Sequence, residues 1–298
     1  MPLVVAANVL VVGSVNVDMV FRVPRLPAPG ETVIGGTFTQ GPGGKGANAA
    51  AAAARLGAET RFVGLVGHDF LGHHALRDLE ESGVDTTLVS ERATHTGVAG
   101  ILVDDAGENV VAVASGANAE VDGGFVRNAL SRVDAEGAVL LTNLEVPDDA
   151  VSAAAEVAET NGWPVILNPA PARPVASSTL ARCSVVVANR MEARALGSAA
   201  SLLEAGVNTV IVTLGGDGVE LHRAGRPLHH QPALAVDVVD TTGAGDAFCG
   251  ALAWALAEGR DLEDAVRFGA AAGALACRAV GARAGLPDRA ELEAMAGG

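Results

Sequence analysis

The chain contains no tyrosine, two tryptophans and seven phenylalanines, so aromatics make up only 3% of its 298 residues. Single-stranded nucleic acid is held largely by stacking bases on aromatic rings, and too few rings are present for that. Positive charge is scarce as well: 20 Lys and Arg stand against 35 Asp and Glu, a formal net charge of −15. A polyanion needs a basic patch, so nucleic acid is excluded as a partner. A small phosphate compound is not excluded, because a few glycine amides at a helix start hold one locally. Cys183, Cys249 and Cys277 lie far apart with no CxxC pair, which reads as free thiols in a reducing, cytoplasmic setting. Residues 1–12 carry neither a basic leader segment nor a small-residue cleavage site, and read as a first strand. The alanine-rich stretches 47–54 and 270–276 are interrupted or flanked by Gly, Asn, Arg or Cys. They read as close-packed helices, and no membrane partner is expected.

What is present points to a layered α/β architecture. Apolar residues make up 49% of the chain, enough to bury one large α/β domain or two modest ones. Short Val/Ile/Leu runs at 9–12, 61–65, 138–142, 164–168, 184–188 and 209–213 predict strands. Helical stretches at 46–56, 71–82, 149–160 and 192–196 fall between them, and 246–258, 262–280 and 289–295 follow. Strands apolar along their whole length, alternating with helices, predict a parallel sheet covered on both faces. Ligands then bind beyond the carboxyl ends of the strands. Two stretches break the rhythm. Residues 15–38 hold Pro24, Pro27, Pro29 and the alternating segment 31–38. Residues 96–114 hold two apolar runs around the turn Asp104-Asp105-Ala106-Gly107, a hairpin signal. The expectation is a small β lid over 15–38 and 96–114, and a main domain over 1–14, 39–95 and 115–298. An apolar face on so small a sheet would seek burial, so a homodimer through the lid is expected.

Five motifs carry chemistry. The strongest is Asp240-Thr241-Thr242-Gly243-Ala244-Gly245-Asp246, followed by an apolar helix. Glycines before a helix free its first amides to point at an anion, and the helix dipole favours negative charge there. An acid at that spot is out of place unless a proton must leave, although an ordinary N-cap aspartate looks the same locally. The second is Gly41-Pro42-Gly43-Gly44-Lys45-Gly46-Ala47-Asn48. It lacks the spacing and Lys-Ser/Thr ending of a P-loop, but lets a polyhydroxylated ligand approach the backbone. Third, Asn189 and Glu192 share one face of a helix start after a strand. Two hard oxygens there suit Mg²⁺ held through water and phosphate, and a surface capping pair has the same spacing. Fourth, Thr213-Leu214-Gly215-Gly216-Asp217-Gly218 is a strand end opening into a turn, either ordinary or at a nucleotide phosphate. Fifth, Asn16 and Asp18 point the same way if extended, a usual arrangement for holding sugar hydroxyls and equally for an Asx turn. The pairs His73-His74 and His229-His230 lack ligand spacing and read as surface histidines.

In this order the five segments resemble the PfkB (ribokinase-like) family of carbohydrate and nucleoside kinases, from about residue 9 to 286. Gly43-Gly44-Lys45-Gly46-Ala47-Asn48 and Asp240 to Asp246 look like the family's two signatures. Gly107-Glu108-Asn109, Gly116-Ala117-Asn118 and Asn168-Pro169-Ala170-Pro171-Ala172-Arg173 bring it nearest the ribose-phosphorylating branch. The resemblance implies a Rossmann-like core with a β lid, and transfer of the ATP γ-phosphoryl to a primary sugar hydroxyl, O5 for ribose. It implies Asp246 as catalytic base and the amides of Gly243, Ala244 and Gly245 as anion hole. It assigns the sugar to Asn16, Asp18, Gly43, Gly44, Lys45, Asn48 and Glu145. Asn189 and Glu192 would organise Mg²⁺ and phosphate, with Thr213, Leu214, Gly215, Gly216, Asp217, Gly218 and Gly245 at the nucleotide. A K⁺ loop would comprise Asp240, Thr242, Ala276, Ala279, Gly281 and Gly285. Two departures stand out: Gly285 replaces a serine, and Ala188 replaces the proline of a Pro-Asn-x-x-Glu pattern. Kinases of deoxyribose, a ketohexose, a sugar acid or a nucleoside remain open, as does a non-catalytic sugar-binding protein. No GxGxxG follows the first strand, which argues against a dinucleotide oxidoreductase.

Overall fold

The computed structural model describes residues 7–297, so the first six residues of the strand read at 1–12 lie outside it. β1 (Asn8–Val12) leads into β2 (Asn16–Arg22) and β3 (Thr37–Gly43). Next come α1 (Lys45–Arg55), β4 (Glu59–Gly67), α2 (Phe70–Glu81) and the short strands β5 (Val84–Asp85) and β6 (Val89–Arg92). β7 (Gly97–Val103) and β8 (Asn109–Ala114) follow, then α3 (Gly123–Leu130), β9 (Val139–Asn143), α4 (Asp148–Asn161) and β10 (Val165–Asn168). The alternation continues through α5 (Ser177–Leu180), β11 (Val185–Asn189), α6 (Arg190–Ala195), α7 (Ala199–Glu204) and β12 (Thr209–Thr213). The chain finishes with β13 (Val219–Arg223), β14 (His229–Gln231), α8 (Ala244–Ala257), α9 (Leu262–Ala276) and α10 (Arg289–Ala296).

The large sheet has the order β14-β13-β12-β11-β10-β9-β1-β4-β5, with β6 added beside β4. Its strands are parallel except for β13 and β14, which fold back as an antiparallel edge. The central strands β1, β4, β9, β10, β11 and β12 are buried on both faces, and alternate residues feed two separate cores. Val9 and Val11 of β1 pack under α1, α2, α8, α9 and α10, while Leu10 and Val12 pack under α3 to α7. That is why the strands read as unbroken apolar runs rather than alternating ones. From β1 the chain steps outward to β4, then returns to the other side of β1 at β9. Such a reversal leaves a crevice at the carboxyl ends of β1 and β9, where open α/β sheets bind ligands.

The second sheet has the order β3-β2-β7-β8. β7 and β8 form the hairpin read at 96–114, with the Asp104 carboxylate accepting the Ala106 and Glu108 amides at its turn. β3 departs from expectation. The segment 31–38 is mostly irregular, because Gly35 and Gly36 take φ of 102° and 116°, outside strand geometry. The strand instead runs over 37–43, so Gly41 and Gly43 of the glycine motif are β residues of this sheet. The helix read to 280 ends at Ala276, since the Cys277 carbonyl accepts the amides of Val239 and Asp240. α3, which begins with Gly123-Gly124, and the short β5, β6 and β14 carry no strong periodic signal.

α1 and α8 cross at small residues. A Cβ at Gly250 would lie 2.4 Å from the Ala49 carbonyl oxygen and 2.7 Å from the Ala52 Cβ. Gly250→Ala is therefore expected to cost about 1–3 kcal/mol by overpacking, read as a lower denaturant midpoint. An unchanged midpoint would contradict this contact.

Candidate active site

β1 and β9 end side by side at the reversal, and each delivers polar groups to the crevice. Ser14 Oγ donates to Glu145 Oε2, and the Lys45 amide donates to the same oxygen at 3.0 Å. Glu145 therefore ties the start of α1 to the ends of β1 and β9. Asn16 Oδ1 accepts from Asn118 Nδ2 at 2.8 Å, and Asn118 also bonds the Val15 amide and carbonyl. The glycine motif lets these elements close up. A Cβ at Gly43 would lie 2.0 Å from Asp18 Oδ1. Gly44 has φ of 87°, and a Cβ there would lie 2.7 Å from both Asn16 N and Ser14 O. Any side chain at either position would displace Asn16 or Asp18.

Asp246 is 7% exposed in the first turn of α8, behind Gly243 in the left-handed region at φ 76°. Its Oδ2 accepts from Asn48 Nδ2 at 2.9 Å, and Lys45 Nζ stands 3.9 Å from Oδ1. Burial pushes this carboxyl above the usual carboxylate range, against the pull of Lys45 and the Asn48 hydrogen bond. Lys45 is in turn raised, chiefly by the charge of Asp246. Asp18 is pushed up to about 7 by burial and by Glu145, with Arg283 opposing. The Ala244 amide bonds the Thr241 carbonyl at 3.2 Å. A Cβ at Gly245 would meet nothing within 4 Å, so that end of the helix, whose first amides have no intrahelical partner, opens into free space.

One central residue was not legible as a site residue. Arg283 is 8% exposed; its Nε donates to Asn48 Oδ1 at 3.0 Å and an Nη to the Gly43 carbonyl at 3.4 Å. With Oδ1 committed to Arg283, the Asn48 amide must present its NH₂ to Asp246. Burial lowers the guanidinium to about 10, so it stays charged at neutral pH beside Asp18 and Asp246. Its other Nη has no hydrogen-bond partner among the described residues. The available signal was one Arg within the apolar, glycine-rich segment 279–286. Ser14 and Asn118 were also missed as site residues.

The remaining residues form two further groups. Asn189 Oδ1 accepts the Met191 and Glu192 amides at 2.9 Å, and Glu192 Oε2 accepts the Asn189 amide at 2.9 Å. This is a capping box, the structural alternative that the spacing had left open. Glu192 is nonetheless near enough to Lys45 for its charge to raise that ammonium's pKa. Arg190 pairs with Asp217 at 2.9 Å, joining this cap to the turn after Thr213, where Gly215 and Gly216 face open space. In the other group Asp240 Oδ1 accepts the Thr242 amide and hydroxyl, and Oδ2 accepts the Gly281 amide at 2.8 Å. A Cβ at Gly285 would lie 2.3 Å from the Ala276 carbonyl oxygen, so this backbone has no room for a serine there. A cleft of about 700 Å³ runs between these loops and the second sheet, lined by Asp18, Arg22, Asn109, Asp240, Thr242 and Arg283 among others. A neighbouring recess of about 340 Å³ is lined by Asn16, Asn118 and Glu145.

A buried carboxylate thus stands at a glycine-led helix start, facing polar groups beneath a small sheet, on an α/β fold. The family model of pfkB family carbohydrate kinases matches residues 6–289. The chain belongs to the PfkB family of carbohydrate kinases. It is 40% identical to the ribokinase of Bacillus subtilis, over 96% of this chain and 98% of the relative. The ribokinase of Haemophilus influenzae is 37% identical, over 94% and 95%. Among solved structures, the ribokinase of Thermotoga maritima superposes with a TM-score of 0.89 at 36% identity, covering 98% of this chain and all of the other. Arabidopsis thaliana ribokinase, complexed with ribose and ATP, gives 0.87 at 33% identity, over 98% and 99%.

With its pKa raised to about 7, Asp18 gains a proton as pH falls through that value and loses charge and part of its acceptor capacity. That matters if it holds a sugar hydroxyl, as the family resemblance implies. The sugar kcat/KM should therefore rise with pH and level off above about 7. Arg283→Met removes the cation that lowers both carboxyls and should move the rise to higher pH, while Arg283→Lys should move it less. A wild-type profile flat from pH 6 to 8, or one unmoved in Arg283→Met, would contradict this electrostatic account.

Proposed function

We propose that the protein phosphorylates D-ribose at O5 with ATP, giving ribose 5-phosphate and ADP. The observation that carries the reading is the Asp246 carboxylate: buried, raised in pKa, and set at the start of α8 beside Asn48 and Lys45. Relatives named ribokinase at 36–40% identity along nearly the whole chain support ribose as the acceptor. In this reading Asn16, Asp18, Gly43, Gly44, Lys45, Asn48 and Glu145 hold the sugar, with O5 against Asp246. Asp246 takes the O5 proton as O5 bonds to the γ-phosphorus and the bond to the bridging oxygen of ADP breaks. The amides at Gly243, Ala244 and Gly245, with the dipole of α8, receive the charge on the transferring phosphoryl; Gly245 is the most open of the three. Ala244 reaches it by giving up its bond to Thr241. Thr213 to Gly218 and Asn189 border the nucleotide.

Two cations belong to this reading. The Glu192 oxygen left over from the capping box is a hard donor that suits Mg²⁺ held through water, and the Asn189 NH₂ is left to donate to a water or phosphate oxygen. Mg²⁺ supplies neutralisation of phosphate charge when bound. Asp240, Thr242 and carbonyls of Ala276, Ala279 and Gly281 offer oxygens for K⁺, and Asp240 Oδ2, with one protein hydrogen bond, keeps a lone pair. Gly285 contributes no side-chain ligand. The second sheet acts as the lid, excluding water from the acceptor. Its edge strand β8 is exposed throughout, with Val110, Val111 and Val113 each more than half exposed, and a second copy of the chain covers it in a homodimer. Among the described residues no helix is long and apolar enough to cross a membrane.

The test is ADP release over a panel of ribose, 2-deoxyribose, fructose, a sugar acid and adenosine. Ribose is expected to give the highest kcat/KM. Asp18→Ala should raise the sugar KM by about 5–150-fold, from roughly 1–3 kcal/mol, and leave the ATP KM nearly unchanged. The deoxyribokinase of Salmonella typhimurium is 34% identical over 87% of this chain, so a winning 2-deoxyribose would replace the proposed acceptor. A winning nucleoside would overturn the pentose reading.

A further inference from the structure

His68 and His73, five residues apart, meet Glu91 from further along the chain on one surface. His68 follows the last residue of β4, His73 lies in the first turns of α2, and Glu91 stands in β6 opposite Val66 of β4. His68 Nδ1 bonds Glu91 Oε2, and His73 Nε2 lies 3.2 Å from Glu91 Oε1. The two imidazoles stand edge to face with centroids 5.5 Å apart, and one donor atom from each of the three residues lies within 4.8 Å of the others. Ligands around a tetrahedral ion, each at about 2.0–2.1 Å, are roughly 3.3 Å apart, so small side-chain rotations bring all three onto one centre. The backbones beneath them are fixed. The His68 amide donates to the Arg92 carbonyl at 2.8 Å, and the His73 amide to the Asp69 carbonyl at 3.1 Å. Neighbouring groups point elsewhere: His74 pairs with Asp78 at 3.1 Å, and the Asp69 carboxylate turns inward to Gly72 and Thr96.

We propose that His68, His73 and Glu91 form a surface site for one divalent transition-metal ion of the Zn²⁺ class. Two neutral imidazoles and one carboxylate are the ligand types that such ions favour, whereas Mg²⁺ prefers oxygen alone. The site therefore discriminates against the cation that accompanies ATP. The side chains of His68 and His73 are 73% and 47% exposed, which leaves room for water to complete the coordination. The ion takes the place of the proton that now joins His68 to Glu91. Its mechanical effect follows from position. It links β4, α2 and β6 beside Asp69, whose carboxylate holds Thr96 at the root of β7. Loading is expected to stabilise the fold around that root.

The test uses chelator-stripped, dialysed enzyme titrated with Co²⁺ under a visible absorption readout and with Zn²⁺ under a thermal melt. Wild type is expected to bind one equivalent of Co²⁺ with d–d bands of low coordination number, which Zn²⁺ displaces, and Zn²⁺ should raise its melting temperature. His68→Gln/His73→Gln should lose both the bands and the melting shift, while keeping its metal-free melting temperature and its turnover with Mg²⁺-ATP. Glu91→Gln, which retains both imidazoles, should weaken Co²⁺ binding at least tenfold. Bands or Zn²⁺ shifts equal in wild type and the double variant would place the metal on other histidines and overturn the proposal. Failure of wild type to bind Co²⁺ would overturn it equally.

Discussion

A carboxylate held almost out of water at the start of α8 sets the terms for the rest of the site. Ionised Asp246 is costly there, and three groups brought from far along the chain offset the cost: the Lys45 ammonium, the Asn48 amide and the Arg283 guanidinium. They form a chain of dependence. Arg283 fixes which end of Asn48 faces Asp246, and Asn48 then donates to the carboxylate. The balance leaves Asp246 raised above the usual carboxylate range by burial, with Lys45, Asn48 and Arg283 pulling the other way. Burial, reinforced by repulsion from Glu145 and Asp246 and opposed by Arg283, holds Asp18 near 7. A hydroxyl entering among them meets carboxylate acceptors alongside the donors of Lys45 and Arg283. That charge pattern suits a neutral polyol better than an anion.

Close approach of backbones makes this arrangement possible. Gly43 and Gly44 leave space for Asp18 and Asn16, and Gly243 packs against Ala282, where a Cβ would lie 2.6 Å from the carbonyl oxygen. The strand that carries Gly43 belongs to the second sheet, while the helix that follows it packs in the main core. In the proposed reading, the sugar-holding groups and the base are therefore coupled to the position of the small sheet, and a shift of that sheet would move Asp18 directly. The loop 281–285 touches both sides of the same machinery through Arg283 and the contact with Gly243.

The main sheet was legible because its strands are buried on both faces and appear as short apolar runs; the strand read at 209–213 has the same bounds in the structure. The strand through the glycine motif was not, since Gly41, Pro42 and Gly43 carry no β signal and pair only because β2 lies alongside. Asp246, Asn48 and Lys45 stood out through motif spacing. Arg283 did not, since its partner Asn48 is 235 residues away and its own segment reads as a loop near a cation site. Asn189 and Glu192 show a different limit. A capping box and a water-mediated metal site require the same residues at the same spacing, and only the hydrogen bonds reveal that the cap is made. Gly285 looked like a missing ligand, whereas in space it is a point of contact with Ala276 that tolerates no Cβ.

The central claim is that Asp246 accepts the proton of the attacking hydroxyl, and an isosteric change isolates that role. Asp246→Asn keeps the shape of the side chain beside Asn48 and Lys45 but removes the basic oxygen. Turnover with saturating sugar and Mg²⁺-ATP should fall by about 10²-fold or more, while ATP binding measured by calorimetry stays close to wild type. A variant that turns over within threefold of wild type would contradict the account.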